Sequence, residues 1–256
     1  MKIKKEEIII ILLAGGNGKR LSRTINKQMI KVNGITVLEK SIINFQNYLP
    51  NIPIQIVTNK ENVKNTNKIA EKFNLYSPII GGKERQLSVF NALKHLKQYS
   101  PKYVLVHDSA RPIISKEVLN ELIKFKKTSF NCVVPILPIN DAIRVSSNDE
   151  IQETLDKNDK ILVQTPQFCN YEVLLKAHIN SKKLYEDESA LLLSQSLKID
   201  TVKGNPKTLK LTYIEDLHLL EPHLLKDKQK YITKIGNGFD IHRFDVNSND
   251  KKNFIS

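Results

Sequence analysis

An uninterrupted apolar run that leads straight into a glycine-rich turn is the feature that most constrains the fold. Residues 8–13 read IIIILL, and residues 14–20 read AGGNGKR. A strand that is apolar on both faces is typical of a parallel sheet covered by helices on both sides. Glycines let the backbone approach a polyphosphate, and cations such as Arg20 and Lys27 can offset charge that builds up on phosphorus during transfer. The pattern predicts a nucleotide-phosphate site, and an ordinary strand-to-helix turn with surface lysines is the alternative.

Strands and helices alternate along the rest of the chain. After a first strand at 7–13, the predicted strands are 53–58, 75–80, 103–107, 131–137, 198–203 and 208–211, and the predicted helices are 36–49, 61–73, 84–98, 118–125, 171–180, 187–196 and 213–220. This alternation predicts an α/β fold with a doubly wound, mostly parallel sheet, Rossmann-like, that binds ligands at the carboxyl ends of its strands. The polar segment 138–164 breaks the alternation, so we expect it to form a protruding arm with a hairpin tip near 146–150.

Composition and cysteine content indicate the cellular compartment. With 256 residues, of which 40% are hydrophobic, the chain can build a large core without disulfides. Its two cysteines, Cys132 and Cys169, form no CxxC pair, which favours the cytoplasm over an oxidising compartment. The apolar run at 8–13 is too short to cross a bilayer, so we expect no membrane anchor.

The basic charge is dispersed. The formal net charge is +13, but lysines lie on nearly every predicted helix without interleaved aromatic residues. We therefore expect no nucleic-acid partner, although a basic RNA-binding module is the alternative from another class. Only six of the 40 basic residues are arginines. In a chain that otherwise uses lysine, an arginine indicates a place where a planar donor with several hydrogen bonds is needed.

Two further motifs resemble parts of a nucleotide site. Residues 81–89 read GGKERQLSV, and their backbone amides together with Ser88 could bind a base or ribose, although a plain capped turn fits equally well. Residues 106–112 read VHDSARP. Asp108 stands at a strand end, where it would be a natural Mg²⁺ ligand or would merely cap the following turn, and Arg111 is placed to bind phosphate.

These motifs, with TPQ at 165–167 and EDESA at 186–190, resemble in order and spacing the 2-C-methyl-D-erythritol 4-phosphate cytidylyltransferase family. The resemblance runs from about residue 8 to residue 220. It implies a Mg²⁺-dependent enzyme of non-mevalonate isoprenoid synthesis, in which methylerythritol phosphate attacks the α-phosphorus of CTP and releases pyrophosphate. Another sugar- or polyol-phosphate nucleotidyltransferase of the same fold is the nearest alternative.

The resemblance also implies roles for individual residues. Catalytic roles fall on Arg20, Lys27, Lys157 and Lys210; cytidine contacts on Ala14, Gly15, Gly82, Lys83 and Ser88; methylerythritol phosphate contacts on Arg111 and Glu186; and Mg²⁺ on Asp108. Some positions depart from the family pattern. Lys157 stands where arginine is usual, and a point charge should hold phosphate less rigidly than a planar fork. Asn26 replaces a proline, Ala142 and Glu186 replace threonines, and Lys83 is often acidic in relatives.

The arm at 138–164 resembles a segment that, in this family, crosses to a second subunit. A homodimer is therefore implied, in which Lys157 reaches the active site of the neighbour. An insertion on a monomer is the alternative.

The end of the chain carries a motif of its own. Residues 235–244 read IGNGFDIHRF, and Asp240 and His242, two apart on a strand, would face the same side and could share one metal. The motif resembles the opening of 2-C-methyl-D-erythritol 2,4-cyclodiphosphate synthase, in which this pair binds zinc and which is known fused to the cytidylyltransferase in this order. A chance match is the alternative.

We therefore predict a cytidylyltransferase domain at 1–227, a linker at 228–233 and the truncated beginning of a synthase domain at 234–256. A catalytic zinc needs three protein ligands, so Zn²⁺ and the second, lyase activity are expected only of a complete second domain.

Overall fold

The computed structural model describes residues 7–16, 26–213 and 215–218. The strands are β1 (Ile8–Leu13), β2 (Lys31–Val32), β3 (Ile35–Thr36), β4 (Ile54–Thr58), β5 (Ile79–Ile80), β6 (Tyr103–Asp108), β7 (Cys132–Pro138), β8 (Ile143–Ser147), β9 (Glu150–Leu155), β10 (Ile161–Val163), β11 (Gln167–Asn170) and β12 (Ile199–Lys203). The helices are α1 (Val37–Tyr48), α2 (Val63–Lys72), α3 (Arg85–Leu96), α4 (Lys116–Lys124), α5 (Tyr171–Asn180) and α6 (Glu188–Leu193).

The central sheet is doubly wound and mostly parallel, which confirms the predicted fold class. Its strands run in the order β5, β4, β1, β6, β11 and β7, and β12 pairs with β7 as well. β1 is parallel to β4 and β6, β4 is parallel to β5, and β7 is parallel to β12. β11 is antiparallel to β6 and β7, and β10 is antiparallel to β7. The chain winds from β1 out to β5 and returns to the other side of β1 for β6. Because Leu13 is paired with Asp108, the ends of β1 and β6 meet at this switch point, where such folds bind ligands.

Each face of β1 supplies a separate hydrophobic core. All six residues of β1 are buried. The even-numbered ones pack against α1, α2 and α4, and the odd-numbered ones pack against α3, α5 and α6. The uninterrupted apolar run is therefore explained by two helical layers, one on each side of the sheet.

Some predicted elements differ in the structure. The strand predicted at 75–80 is reduced to β5, and the one predicted at 208–211 is wrong because that segment has no regular secondary structure. β11 is not among the predicted strands, since a four-residue strand that begins at the last residue of the TPQ motif carries little periodicity. Of the helix predicted at 213–220, residues 216–218 are helical, and residues 214, 219 and 220 lie outside the described part.

The arm predicted at 138–164 contains a hairpin. β8 and β9 form a separate two-stranded antiparallel sheet, apart from the central one. Asn148 and Asp149 connect them with φ of +52° and +63°, which is the left-handed backbone of a tight two-residue hairpin turn. β10 then returns the chain to the end of β7. In the described part of the chain, no helix combines the length and apolar character needed to cross a membrane.

His178 is expected to make stability depend on pH. Burial, with help from the charge of Arg85, lowers the pKa of His178 from 6.5 to about 4. As the pH falls below 6.5, the unfolded chain therefore binds a proton that the folded chain does not. The free energy of unfolding decreases between pH 6.5 and pH 4, by about 3 kcal/mol for His178. His178→Phe preserves the stacking on Phe90 and should reduce the drop in unfolding free energy between pH 7 and pH 4.5. His107, with a pKa also lowered to about 4 by burial, should contribute in the same direction in both proteins. Equal drops in variant and parent, measured by urea denaturation, would contradict this.

Candidate active site

A cleft of about 700 Å³ opens at the carboxyl ends of β1 and β6, a size typical of small-ligand sites. It lies between the first glycine turn, the second glycine turn and the segment around residue 210. The predicted site residues that line it are Gly15, Lys27, Gly82, Lys83, Ser88, Asp108 and Lys210. Residues separated by almost 200 positions in sequence are thus brought to one concave surface.

Other predicted residues lie elsewhere or outside the described part. Ala14 is fully buried in the core and donates its amide to the Val57 carbonyl at 2.7 Å, so its side chain does not reach the cleft. Glu186 is exposed and does not line the cleft. Lys157 lies on the arm, where its Nζ donates to a backbone carbonyl of the same arm. Arg20, Asp240 and His242 lie outside the described residues.

Asn26 holds Lys27 at the mouth of the cleft. Lys27–Met29 form a single 3-10 turn, and the Asn26 side-chain oxygen accepts a hydrogen bond from the Gln28 amide at 3.0 Å. Asn26 is therefore the N-cap of this turn. Gln28 itself is buried beneath the first glycine turn, and a Cβ on Gly16 would come within 3.2 Å of its side-chain nitrogen.

The second glycine turn leaves no room for side chains. A Cβ on Gly81 would lie 2.5 Å from the Ser88 hydroxyl oxygen, and one on Gly82 would overlap the Cβ of Leu87. The Ser88 hydroxyl closes the turn, since it accepts from the Gly82 amide at 3.1 Å and donates to the Glu84 carbonyl at 3.0 Å. The close fit places the turn's backbone directly on the first turn of α3.

Gly82→Ala is expected to lower the free energy of unfolding by about 1–3 kcal/mol, because the new methyl group must displace the start of α3. Lys83→Ala is the matched control, because it shortens an exposed neighbouring side chain without placing an atom near Leu87. Chemical denaturation of both variants measures the free energy of unfolding. A Gly82→Ala protein as stable as the parent would show that the turn can accommodate a methyl group.

Asp108 is the electrostatic centre of the cleft. Its Oδ1 accepts from Arg85 Nε at 3.0 Å, and its Oδ2 accepts from Lys210 Nζ at 2.7 Å. Burial by itself would raise the pKa of Asp108, but the charges and hydrogen bonds of Arg85 and Lys210 outweigh it and hold this pKa well below its usual range. The carboxylate is therefore charged at any physiological pH.

Arg85 is a site residue that sequence reasoning missed. Besides contacting Asp108, it lines the cleft and makes a bidentate pair with Glu188, with bonds of 2.9 and 3.0 Å. The neighbouring carboxylates raise the pKa of Arg85 even though its burial opposes this. The available signal was the scarcity of arginine: this one lies inside the second glycine motif of a lysine-rich chain.

His107 locks the end of β6 to the TPQ motif. A backbone carbonyl only accepts, so His107 Nε2 donates to the Arg111 carbonyl at 3.0 Å. His107 Nδ1 then accepts from the Thr165 hydroxyl at 3.0 Å, and that hydroxyl accepts from the Asp108 amide at 3.2 Å. The chain of bonds fixes the backbone that carries Asp108.

Arg111 and Gln164 hold the segment that presents Lys210. Arg111 Nη1 donates to the Thr208 carbonyl at 2.8 Å, which places this guanidinium on protein backbone and not on the cleft lining. Gln164 exchanges hydrogen bonds with the backbone of Asn205, both at 3.0 Å. The Leu211 amide donates to the Ala110 carbonyl at 2.8 Å. Side-chain and backbone bonds together therefore fix the irregular 208–211 segment, and Lys210 is brought to Asp108.

Asp108 could hold a divalent cation that shares its coordination shell with a bound ligand. Within the described ranges, no group of three or more His, Cys, Asp and Glu side chains could enclose an ion. Asp108 offers one carboxylate at a strand end inside a cleft of ligand size. Mg²⁺ commonly takes one or two carboxylates and completes its shell with phosphate oxygens and water, so this donor set suits it.

Comparison with known proteins agrees with this geometry. The sequence model of the 2-C-methyl-D-erythritol 4-phosphate cytidylyltransferase family, IspD, matches residues 8–226. The bifunctional enzyme IspD/IspF of Wolbachia pipientis wMel is 32% identical over 259 residues, covering 100% of this chain and 64% of that protein. The 2-C-methyl-D-erythritol 4-phosphate cytidylyltransferase of Thermosipho melanesiensis is 32% identical over 219 residues, covering 83% of this chain and 95% of that protein.

A solved structure shares the fold. The crystal structure of 4-diphosphocytidyl-2C-methyl-D-erythritol synthase from Anaerococcus prevotii superposes with a TM-score of 0.72 at 24% identity, covering 87% of this chain and 97% of that one. The chain thus spans less than two thirds of the bifunctional Wolbachia relative and nearly all of the single-domain Thermosipho relative. Since the family match extends over most of its length, the chain belongs to the 2-C-methyl-D-erythritol 4-phosphate cytidylyltransferase family.

Proposed function

We propose that this chain transfers CMP from CTP to 2-C-methyl-D-erythritol 4-phosphate, giving 4-diphosphocytidyl-2-C-methyl-D-erythritol and pyrophosphate. The chain belongs to the family, and the observation that supports the proposal most is its cleft. Asp108 and Lys210 contact each other there, and Lys27 and the first glycine turn line the same cleft. A carboxylate, several cations and amide-lined turns are what transfer of a nucleotidyl group requires.

In this reaction an oxygen of the acceptor phosphate forms a bond to the α-phosphorus of CTP, and the bond from that phosphorus to the pyrophosphate oxygen breaks. Lys27, Lys210 and Arg20 neutralise charge on the phosphates as it develops. The turns at Gly15 and Gly82 bind the nucleoside through their backbone. No covalent intermediate with the protein is needed, because alignment and charge neutralisation suffice.

We assign the divalent cation to Asp108 and propose Mg²⁺ as the natural ion. When bound, the ion would neutralise triphosphate oxygens and help orient the leaving pyrophosphate. Arg85 and Lys210 keep the Asp108 carboxylate charged, and Arg85 holds it in place.

Pyrophosphate release, measured with each of the four nucleoside triphosphates and with methylerythritol phosphate or other polyol phosphates, tests the proposed reaction. We expect release only when CTP and methylerythritol phosphate are both present. Preference for ribitol phosphate or a sugar phosphate would favour the other nucleotidyltransferases of this fold. Indifference to CTP, together with strong and salt-sensitive binding of oligonucleotides, would favour an RNA-binding role.

We also propose that the chain forms a homodimer through the arm. Apolar side chains on and beside the hairpin are exposed, at 71% for Ile151, 48% for Ile161 and 52% for Leu162. Lys157 does not reach the cleft of its own chain, which is expected if it serves the neighbour. Ile151→Lys should shift the sedimentation coefficient from that of a dimer towards that of a monomer and reduce turnover. A parent protein that sediments as a monomer would contradict the proposal.

The division into a transferase domain at 1–227, a linker at 228–233 and the beginning of a cyclodiphosphate synthase domain at 234–256 is likewise a proposal. It is supported by the bifunctional Wolbachia relative, because the match to that protein extends over the full length of this chain. Asp240 and His242 would then be two of the three zinc ligands of that domain. A cytoplasmic location is proposed from the sequence, whose two cysteines form no CxxC pair and no disulfide framework.

A further inference from the structure

The two oxygens of Asp108 have unlike partners. Oδ1 is bound by Arg85, whose side chain is 24% exposed, and Oδ2 is bound by Lys210, whose side chain is 43% exposed. A lysine amine on a flexible stem can move away at little cost, whereas a guanidinium held in a planar fork cannot. The two oxygens therefore differ in how readily another group could replace their partner.

Arg85 is fixed from behind by Glu188. Both guanidinium Nη atoms donate to the two Glu188 oxygens, and Glu188 is 1% exposed. Charge-assisted bidentate pairs of this kind have a well-defined geometry. Because the pair uses both Nη atoms, only Nε of Arg85 is directed at Asp108, and it meets Oδ1.

Glu188 is in turn held by the central sheet. It is the first residue of α6, whose N-cap Asp187 accepts from the Ala190 amide at 2.8 Å. Gln167 on β11 donates to the other oxygen of Asp187 at 3.1 Å and accepts from the Ser189 amide at 3.1 Å. A continuous set of contacts thus runs from β11 through α6 to Arg85 and on to the carboxylate in the cleft.

We propose that Arg85 is a positioning residue that fixes Oδ1 of Asp108 and leaves Oδ2 to be exchanged between Lys210 and the divalent cation. Without ligand, Lys210 occupies Oδ2 and neutralises it. If Oδ2 held a cation instead, Lys210 would be released and could bind the phosphates of a nucleotide in the same cleft. Cation binding and delivery of Lys210 are then two parts of one event. The inference relies on the proposed function for its reaction, but its first test does not.

The first test measures the affinity for Mn²⁺ alone, with no nucleotide or acceptor present. Electron paramagnetic resonance detects the ion that remains free in solution. Lys210→Gln removes the competing cation and should bind Mn²⁺ about tenfold more tightly than the parent. Lys207→Gln removes an exposed lysine three residues away on the same segment and should change Mn²⁺ binding far less. Equal affinities for the parent and Lys210→Gln, or equal gains in both variants, would overturn the exchange at Oδ2.

The second test separates positioning by Arg85 from its charge. Arg85→Lys retains the charge but cannot bind Glu188 in two places and reach Asp108 as well, so kcat should fall by about ten- to a hundredfold with little change in the CTP Michaelis constant. Near-parental kcat in Arg85→Lys would show that charge alone is needed and would overturn the positioning role.

Glu188→Gln completes the test, since Glu188 does not line the cleft. It should lower kcat about tenfold on its own and have almost no further effect in an Arg85→Gln background. Independent, multiplying effects would contradict action through Arg85. Circular dichroism at the assay temperature identifies a variant that does not fold, and Arg85→Lys, which retains the charge, then decides. A parent protein that binds Mn²⁺ as described but shows no transfer from CTP would contradict the proposed function and not this inference.

Discussion

Asp108→Asn is expected to lower kcat/KM with CTP by about a hundredfold to a thousandfold. The substitution retains the size of the side chain but removes the charge that Arg85 and Lys210 bind and that the cation requires. The Arg85 and Lys210 side chains would then lie in the cleft without a carboxylate charge between them. Steady-state kinetics over a range of Mg²⁺ concentrations measures the loss, which excess Mg²⁺ should reduce only in part.

Asp200→Asn is the matched control for Asp108→Asn. Asp200 lies on β12 and pairs with the exposed Lys198 at 2.8 Å, so the same chemical change is made away from the cleft. It should leave kcat/KM near the parent value. An Asp108→Asn enzyme that retains parental activity at low Mg²⁺ would exclude this carboxylate as the cation's ligand.

Lys27→Ala has the second large expected effect, a fall in kcat of about a hundredfold to a thousandfold with a much smaller change in CTP affinity. The reason is that the Lys27 charge lies at the mouth of the cleft and is expected to act mainly on charge that develops during transfer. Arg20→Ala should behave in the same way. Rapid-quench measurement of the first turnover, beside equilibrium binding of CTP, separates the two quantities.

Lys31→Ala controls for the loss of a lysine near the same turn, because Lys31 is exposed on β2 and does not line the cleft. Its kcat should match that of the parent. If Lys27→Ala weakened CTP binding as much as it slowed turnover, Lys27 would be a ground-state contact and not a stabiliser of the transition state.

The sequence predicted those parts of the fold that are set by local pattern. The apolar run of β1 indicated two covered faces, and its even and odd residues do enter separate cores. Asp108 and Lys27 were expected at the site, because strand ends and glycine turns converge in a doubly wound sheet. Lys210 was assigned by family resemblance, and the structure places it on Asp108.

What the sequence could not predict depends on partners far away along the chain. Arg85 and Glu188 are 103 positions apart, and nothing in the local pattern around either residue indicates their pairing. β11 is a strand only because β6 and β7 lie on its two sides. The segment at 208–211 has an apolar alternation typical of a strand, yet no ladder forms. Its Thr208 carbonyl accepts from the Arg111 and Gln164 side chains, and its Leu211 amide donates to a backbone carbonyl outside the sheet.

A crystal structure of the chain with CTP and Mg²⁺ would test the central assignment most directly. We expect the triphosphate between the first glycine turn and Lys210, with the metal on Oδ2 of Asp108 and Lys27 and Arg20 within hydrogen-bonding distance of the phosphates. A nucleotide bound outside this cleft, or bound with Lys27 and Arg20 turned away from its phosphates, would contradict the assignment.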